Sequence, residues 1–154
     1  MDNQACGITG RLLKLELLRR CSLRRLCVCC GLHYGQPPVL QYIINNDGCT
    51  QKEIADFLGV TAASIALSTK GLQKSGLITK QADENNLRRN RLSATEKGKE
   101  VLEAFTEQNK SFNEKMLSGV TDDEKRQLCA LLDKLISGAA DGKDIDLCGM
   151  IDYK

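Results

Sequence analysis

The sequence of 154 residues contains no tryptophan, three tyrosines, three phenylalanines and a single histidine. Ser-His or Cys-His catalysis would have to use His33, and neither a nucleophile motif nor a phosphate-binding loop accompanies it. The sequence therefore predicts no catalytic residue and no enzyme. Scarce aromatic residues beside abundant leucine and alanine are typical of a mainly helical protein.

The sequence also lacks an apolar run of about 18 residues, the length needed to span a membrane. Its basic N-terminal segment is not followed by the apolar stretch of a signal peptide. We therefore expect no membrane association and a cytoplasmic location. Eight cysteines without a secretion signal favour free thiols in a reducing compartment.

The net charge is only +2, so bulk charge does not indicate a nucleic-acid partner. The charge is unevenly distributed, because residues 1–30 are mostly basic and the segment from Thr121 onward is mostly acidic. A small net charge can therefore coexist with a basic surface for DNA.

Two short helices that meet at a glycine turn are predicted between Thr50 and Gly76. Thr50 and Glu53 have the spacing of a capping box that starts the first helix. Gly59 supplies the left-handed backbone conformation required where that helix ends, and Thr61 is placed to cap the second helix. This arrangement can lay its second helix in the major groove of DNA.

A hairpin with a basic tip follows the two helices. Residues 77–80 and 91–94 have the composition of paired strands, and the polar segment 83–90 between them has that of a loop. Arg88 and Arg89 lie in this loop, and Lys80 and Arg91 lie beside it. Such a loop next to a DNA-reading helix is placed to contact phosphates or the minor groove.

Longer helices flank this region on both sides. Leucine stripes predict helices over about 9–30, 95–118 and 121–137, and the proline pair at 37–38 starts a short apolar helix. These helices carry more apolar surface than a small winged domain can cover, which indicates a two-fold dimer.

The predicted fold class is mainly α with a small β-hairpin wing. We expect one domain, with dimerisation helices at about 9–47 and 99–137 and a winged helix-turn-helix region at about 48–98. Residues 138–154 form a tail that is either disordered or a short packed turn.

Several of these motifs resemble the MarR family of bacterial winged-helix regulators. The similar segments are Gly35-Gln36-Pro37-Pro38-Val39-Leu40, Gly76-Leu77-Ile78 and Thr95-Glu96-Lys97-Gly98, together with the helix pair and the arginine-bearing loop. The resemblance covers about residues 10–137, most of the chain.

The chain departs from the usual pattern of that family in two places. Asn86-Leu87-Arg88 stands where the family usually carries Asp-Arg-Arg, and Leu67 stands where the second helix often carries an arginine. These differences concern the DNA sequence that is recognised more than the fold.

The resemblance implies a homodimeric repressor that binds an inverted-repeat operator on double-stranded DNA. It also implies release by a small-molecule effector bound between the dimer helices and the winged domain, around His33, Tyr34 and Gln36. No cofactor is expected.

The residues predicted to contact DNA lie at the start of the first short helix, on the outward face of the second and on the hairpin. They are Thr50, Gln51, Thr61, Ala62, Ala63, Ser64, Ala66, Leu67, Lys70, Arg88, Arg89 and Arg91. Small and apolar groups cannot hydrogen-bond to base edges but can contact thymine methyl groups. Much of the readout is therefore expected from DNA shape and from the wing.

Cys27, Cys29, Cys30 and His33 form the one cluster that suggests other chemistry. Thiolates with an imidazole suit Zn²⁺ or Cu(I), and a thiol near arginines is suited to sensing oxidants. Cysteine is also common as a small buried apolar residue. The spacing is not a strong zinc pattern, so no metal site is predicted, although a thiol-redox or metal-responsive regulator remains an alternative. A further alternative is a winged-helix module that binds protein.

Overall fold

A computed structural model of the chain describes residues 3–83 and 86–139, with side-chain positions for residues 7–82 and 90–139. Its elements are α1 Asn3–Cys29, α2 Gln36–Asn45, α3 Gln51–Leu58, α4 Ala62–Lys74, β1 Ile78–Asp83, β2 Asn86–Ala94, α5 Glu96–Leu117 and α6 Asp122–Ala139. The mainly helical architecture with one antiparallel hairpin confirms the predicted fold class.

The chain divides into two compact units, Met1–Asn109 and Lys110–Lys154. The predicted division into dimerisation helices and a DNA-binding region stays a prediction. Among the residues that the structure describes, no helix combines the length and the apolar character needed to cross a membrane.

The core of the first unit is centred on α2. Gly35 adopts a φ of 94°, which a residue with a Cβ resists, and the chain then enters α2 with prolines in its first turn. Leu40 and Ile43 of α2 are fully buried, as are Ile54 of α3 and Leu72 of α4. The short, strongly apolar helix predicted after the proline pair is therefore a core element.

The first helix is longer than predicted. It begins at Asn3 rather than near residue 9. The prediction relied on the apolar stripe, which indicates where a helix packs and not where it begins. Gln4 and Ala5, which precede that stripe, are good helix formers and carry the helix further toward the N-terminus.

The hairpin is also longer than predicted, and most of the segment 83–90 that was predicted to be a loop is strand. Gln81 pairs with Arg91 and Ala82 pairs with Asn90, with a register shift after Ala82. Backbone hydrogen bonds between the two strands outweigh the polar composition that predicted the loop. Residues 84 and 85 lie outside the described residues.

The second unit contains α6. Thr121 and Glu124 form a capping box at its start: the backbone N–H of Thr121 donates to Glu124 Oε2 at 2.8 Å, and the Glu124 N–H donates to Thr121 Oγ1 at 3.3 Å. No residue of α6 is buried. The predicted tail begins with the last two residues of this helix, and residues 140–154 lie outside the described residues.

Candidate nucleic-acid interface

The helix pair α3 and α4 is fixed by the caps that the sequence predicts. Thr50 and Glu53 form the capping box of α3, and Gly59, with a φ of 62°, ends that helix. Thr61 Oγ1 then accepts a hydrogen bond from the Ser64 N–H at 3.2 Å, which caps α4. The hydroxyl of Thr50, a predicted DNA contact, accepts a hydrogen bond from the Glu53 N–H and is thus engaged in the cap of α3.

One face of α4 is buried against the rest of the first unit. Ile65, Thr69 and Leu72 are each no more than 2% exposed. The Thr69 hydroxyl donates to the Ile65 carbonyl at 2.8 Å and accepts a hydrogen bond from Gln51 Nε2 at 2.6 Å. Gln51, which was predicted to contact DNA, thus joins the first turn of α3 to α4.

The opposite face of α4 is exposed along its length. The exposed side chains include every residue of α4 that was predicted to contact DNA: Ala62, Ala63, Ser64, Ala66, Leu67 and Lys70. Thr61, which precedes the helix, is exposed as well. A helix that buries one face and presents the other along an adjacent hairpin is the arrangement that enters a DNA major groove.

A second polar contact sets the position of α4, and the sequence did not reveal it. Gln36, at the start of α2, is only 5% exposed. Its Nε2 donates to the Ser68 carbonyl at 3.3 Å, and its Oε1 accepts from the His33 N–H at 2.7 Å. A Cβ added at Gly71 would lie 2.6 Å from Gln36 Nε2. The glycine inside α4 was the available signal, because glycine weakens a helix and often marks a close approach.

The motif Thr95-Glu96-Lys97-Gly98 joins the start of α5 to the end of α4. Thr95 Oγ1 donates to the Gly76 carbonyl at 2.8 Å, and Lys97 Nζ donates to the Ser75 carbonyl at 3.0 Å. A Cβ at Gly98 would overlap the Leu77 carbonyl oxygen. The hairpin is thereby held beside α4.

Of the three hairpin arginines predicted to contact DNA, the structure describes the side chain of Arg91. Arg91 is exposed, and its Nη1 donates to the Gly48 carbonyl at 3.1 Å, which fastens β2 to the turn between α2 and α3. Arg88 and Arg89 belong to β2, and their side chains are outside the described part of the chain. Their predicted contact with DNA stays a prediction.

Known proteins match this arrangement in sequence and in structure. A sequence profile of the MarR family matches residues 31–89. YybA of Bacillus subtilis (strain 168), an uncharacterized HTH-type transcriptional regulator, is 36% identical over 98 residues, which cover 64% of this chain and 65% of YybA. The match thus spans slightly less than two thirds of that relative.

BilQ of Clostridium symbiosum (strain WAL-14163), an HTH-type transcriptional regulator, is 30% identical over 102 residues, which cover 66% of this chain and 71% of BilQ. The chain belongs to the MarR family of transcriptional regulators. The structure of a mutant of S. aureus MepR bound to an oligodeoxyribonucleotide has a TM-score of 0.62 at 24% identity and covers 86% of this chain and 96% of MepR. At that identity the likeness shows the fold.

The residues predicted to bind an effector in this MarR-family chain lie in the connection from α1 to α2. His33 and Tyr34 are exposed, and the Arg24 guanidinium lies 5.3 Å from the centre of the Tyr34 ring. Gln36 is buried and its amide group is engaged with protein atoms. Only the first two side chains are therefore accessible to a small molecule.

The cysteine cluster of this MarR-family chain is divided between the interior and the surface. Cys27 is buried, Cys29 is exposed and Cys30 is partly buried. Burial is the main cause that raises the pKa of the Cys27 and Cys30 thiols. Both thiols therefore stay protonated near neutral pH, whereas oxidant sensing requires a thiolate.

Metal binding at the cluster likewise gains no support. Within residues 3–83 and 86–139, no group of three or more His, Cys, Asp or Glu side chains is placed to hold a metal ion. The thiol-redox and metal-responsive alternatives are not favoured by any contact of the described residues.

Proposed function

We propose that the chain is a homodimeric repressor that binds an inverted-repeat operator and is released from it by a small-molecule effector. The observation that carries the proposal is α4, whose inner face is fixed by Ile65, Thr69 and Leu72 while its outer face stays open. The MepR structure bound to an oligodeoxyribonucleotide supports DNA as the partner. The proposal places the chain in the cytoplasm, where bacterial operators lie.

Exposed apolar residues on two helices support a dimer. On α1, Leu13 and Leu18 are 56% and 57% exposed, and on α6, Leu131 and Ile136 are 57% and 58% exposed. Large apolar side chains that recur exposed along a helix are typical of an interaction surface. In a two-fold dimer, two copies of α4 would lie about 34–36 Å apart, one turn of DNA, which favours an inverted repeat.

Release by an effector would act through Gln36. The Gln36 amide hydrogen-bonds both the backbone of His33 and the backbone of α4 at Ser68. Suppose that a molecule binds at His33 and Tyr34 only when the two α4 helices of the dimer have a spacing that does not fit DNA. It would then shift the population of dimers into that state and away from the DNA-binding state. Such a molecule must weaken DNA binding by the same factor by which DNA weakens its own binding.

The proposal is tested by a mobility shift with the DNA that flanks the chain's own gene. We expect a complex of two chains per duplex, confirmed by sedimentation, with an affinity that falls steeply as salt is raised. A chain that stays monomeric at the concentrations where it binds, or that binds no duplex even at low salt, would contradict the proposal. The second result would favour the protein-binding alternative.

The direction of regulation is tested separately, with a reporter placed behind the chain's own promoter. Deleting the gene should raise expression of the reporter if the chain is a repressor. Lower expression after deletion would identify an activator and leave the DNA-binding part of the proposal standing.

A further inference from the structure

The middle of the exposed face of α4 is apolar. Leu67 is 74% exposed, the second-highest value among the exposed large apolar side chains of the described residues. Ala63 and Ala66 are exposed beside it, one turn and one residue earlier, and Lys70 follows one turn later. Because Ile65 and Leu72 are buried on the opposite face, α4 cannot rotate to hide Leu67 without exposing core residues.

This face offers few groups that can hydrogen-bond to bases. Residues 62–72 contain no Arg, Asn, Gln, Asp or Glu, the side chains that make the usual bidentate contacts with base edges. Thr61 Oγ1 and Ser64 Oγ lie 2.9 Å apart and bond to each other, and Thr69 is buried. Lys70 is left as the charged donor on this face.

Leu67 therefore favours one kind of base edge over the others. The C5 methyl of thymine is the apolar group that the major groove presents. Against a methyl group, the leucine side chain buries apolar surface. Against any other edge, it covers polar atoms and leaves them without a hydrogen-bond partner, which is unfavourable.

We propose that Leu67 reads thymine methyl groups, so that the operator carries thymine at the positions beneath the middle of α4. This inference rests on the proposed function and specifies the DNA that its site accepts. Burying one methyl group favours the thymine form by about 4-fold, which follows from about 0.8 kcal/mol per methylene-sized group. With one such thymine in each of two half-sites, the total effect is on the order of 10-fold.

The experiment uses duplexes that the wild-type chain selects from a random-sequence library. Each thymidine of a selected duplex is replaced in turn by deoxyuridine, which removes the methyl group and keeps the pairing edge. Fluorescence anisotropy then compares the two forms for the wild-type chain, for Leu67→Ala and for Lys70→Ala. Since Leu67 is so exposed, its replacement should leave the unfolding midpoint unchanged.

We expect the wild-type chain to bind the deoxyuridine form about 4-fold more weakly at one position in each half-site. In Leu67→Ala this ratio should fall to near 1. Lys70→Ala, the matched control, should bind both forms more weakly with the ratio retained, because its contact is with phosphate or a polar edge.

Two results would overturn the inference while leaving the proposed function intact: equal affinity of the wild-type chain for both forms at every position, or a Leu67→Ala variant that keeps the wild-type ratio. The first does not depend on the folding of any variant. If the wild-type chain retains no duplex from the library, the proposed function fails and the inference fails with it.

Discussion

Gly98 lies where the first turn of α5 passes the backbone of Leu77, and a Cβ there would overlap the Leu77 carbonyl oxygen. Since backbone cannot move aside as a flexible side chain can, we expect Gly98→Ala to lower the free energy of unfolding by about 2 kcal/mol, as overpacking does. Urea denaturation measures the change.

Gly138→Ala is the matched control for that substitution. Gly138 also lies in a helix, and an added Cβ there meets nothing within 4 Å. This variant should be neutral or gain up to about 1 kcal/mol from the better helix propensity of alanine. Equal effects of the two substitutions would show that the contact with Leu77 is not what requires glycine at position 98.

Cys49 makes stability depend on pH. Burial is the main cause that raises the pKa of its thiol from 9.0 to about 11, with Glu53 nearby as the second cause. The folded state thus keeps a proton that the unfolded chain releases near pH 9. The stabilisation is complete below pH 9 and is lost as the pH rises toward 11.

The stability difference between the wild-type chain and Cys49→Ala should therefore be largest at neutral pH and shrink between pH 9 and 11. Urea denaturation under reducing conditions at several pH values measures it. Cys21→Ala, which removes an exposed thiol, is the matched control. Parallel curves for wild type and Cys49→Ala would contradict the assignment.

Residues that act on neighbours close in sequence were predictable, and residues that act across the fold were not. The caps at Thr50, Thr61 and Thr121 each involve a partner three positions away, so the spacing alone reveals them. Asn109 shows the limit. This polar side chain of α5 is only 4% exposed and its Oδ1 finds no partner within the described residues, and no local spacing in the sequence indicates its burial.

At the level of elements, α4 depends on contacts that reach it from distant parts of the chain. Gln36 and Ser68 are 32 positions apart, and Gln51 and Thr69 are 18 apart. The sequence predicted the existence of α4 and its N-cap at Thr61. It could not predict these contacts, because they arise only once α2 and α3 have packed against the helix.

A double-mutant cycle tests the contact between α2 and α4. In the wild-type chain, Gly71→Ala should force Gln36 out of its hydrogen bonds, at a cost of about 1–3 kcal/mol. Because both hydrogen bonds of this buried amide are lost, we expect the cost to outweigh the helix-propensity gain of up to about 1 kcal/mol. In a Gln36→Ala background the obstruction is absent, so the same substitution should stabilise the chain.

The sign of the effect of Gly71→Ala is therefore predicted to reverse between the two backgrounds, as measured by urea denaturation of all four variants. An effect of the same sign and size in both would show that Gln36 does not restrict Gly71.

The hairpin and the first helix were predicted in type and position but not in extent. The polar composition of residues 83–90 indicated a loop, whereas pairing continues through Ala82 and Asn90. Cross-strand pairing depends on a partner strand, and a single-strand composition does not contain that information.

At the level of the whole molecule, the exposed outer face of α4 occurs together with helices α1 and α6 that expose apolar side chains. A net charge of +2 gave little indication of DNA. The family resemblance and the helix-turn-helix spacing were the informative signals. The dimer and the effector remain proposals, supported by the exposed apolar faces of α1 and α6 and by the Gln36 contacts.

The central claim is that the outer face of α4 contacts DNA, and Ala63→Glu tests it most directly. Ala63 is exposed, so the substitution should leave folding and oligomeric state unchanged while placing a carboxylate against the charged backbone and base edges of DNA. Ala104→Glu, on an exposed position of α5, adds the same charge away from α4. Because residue 104 lies in the predicted dimerisation region, this variant is the control once sedimentation shows that its oligomeric state is that of the wild-type chain.

The deciding measurement is the affinity of the three chains for one selected duplex, by fluorescence anisotropy at fixed salt, with sedimentation of each. We predict that Ala63→Glu binds at least about 100-fold more weakly than wild type, the size expected for juxtaposed like charges. Ala104→Glu should bind within a few-fold of wild type. Wild-type affinity in Ala63→Glu would contradict the account.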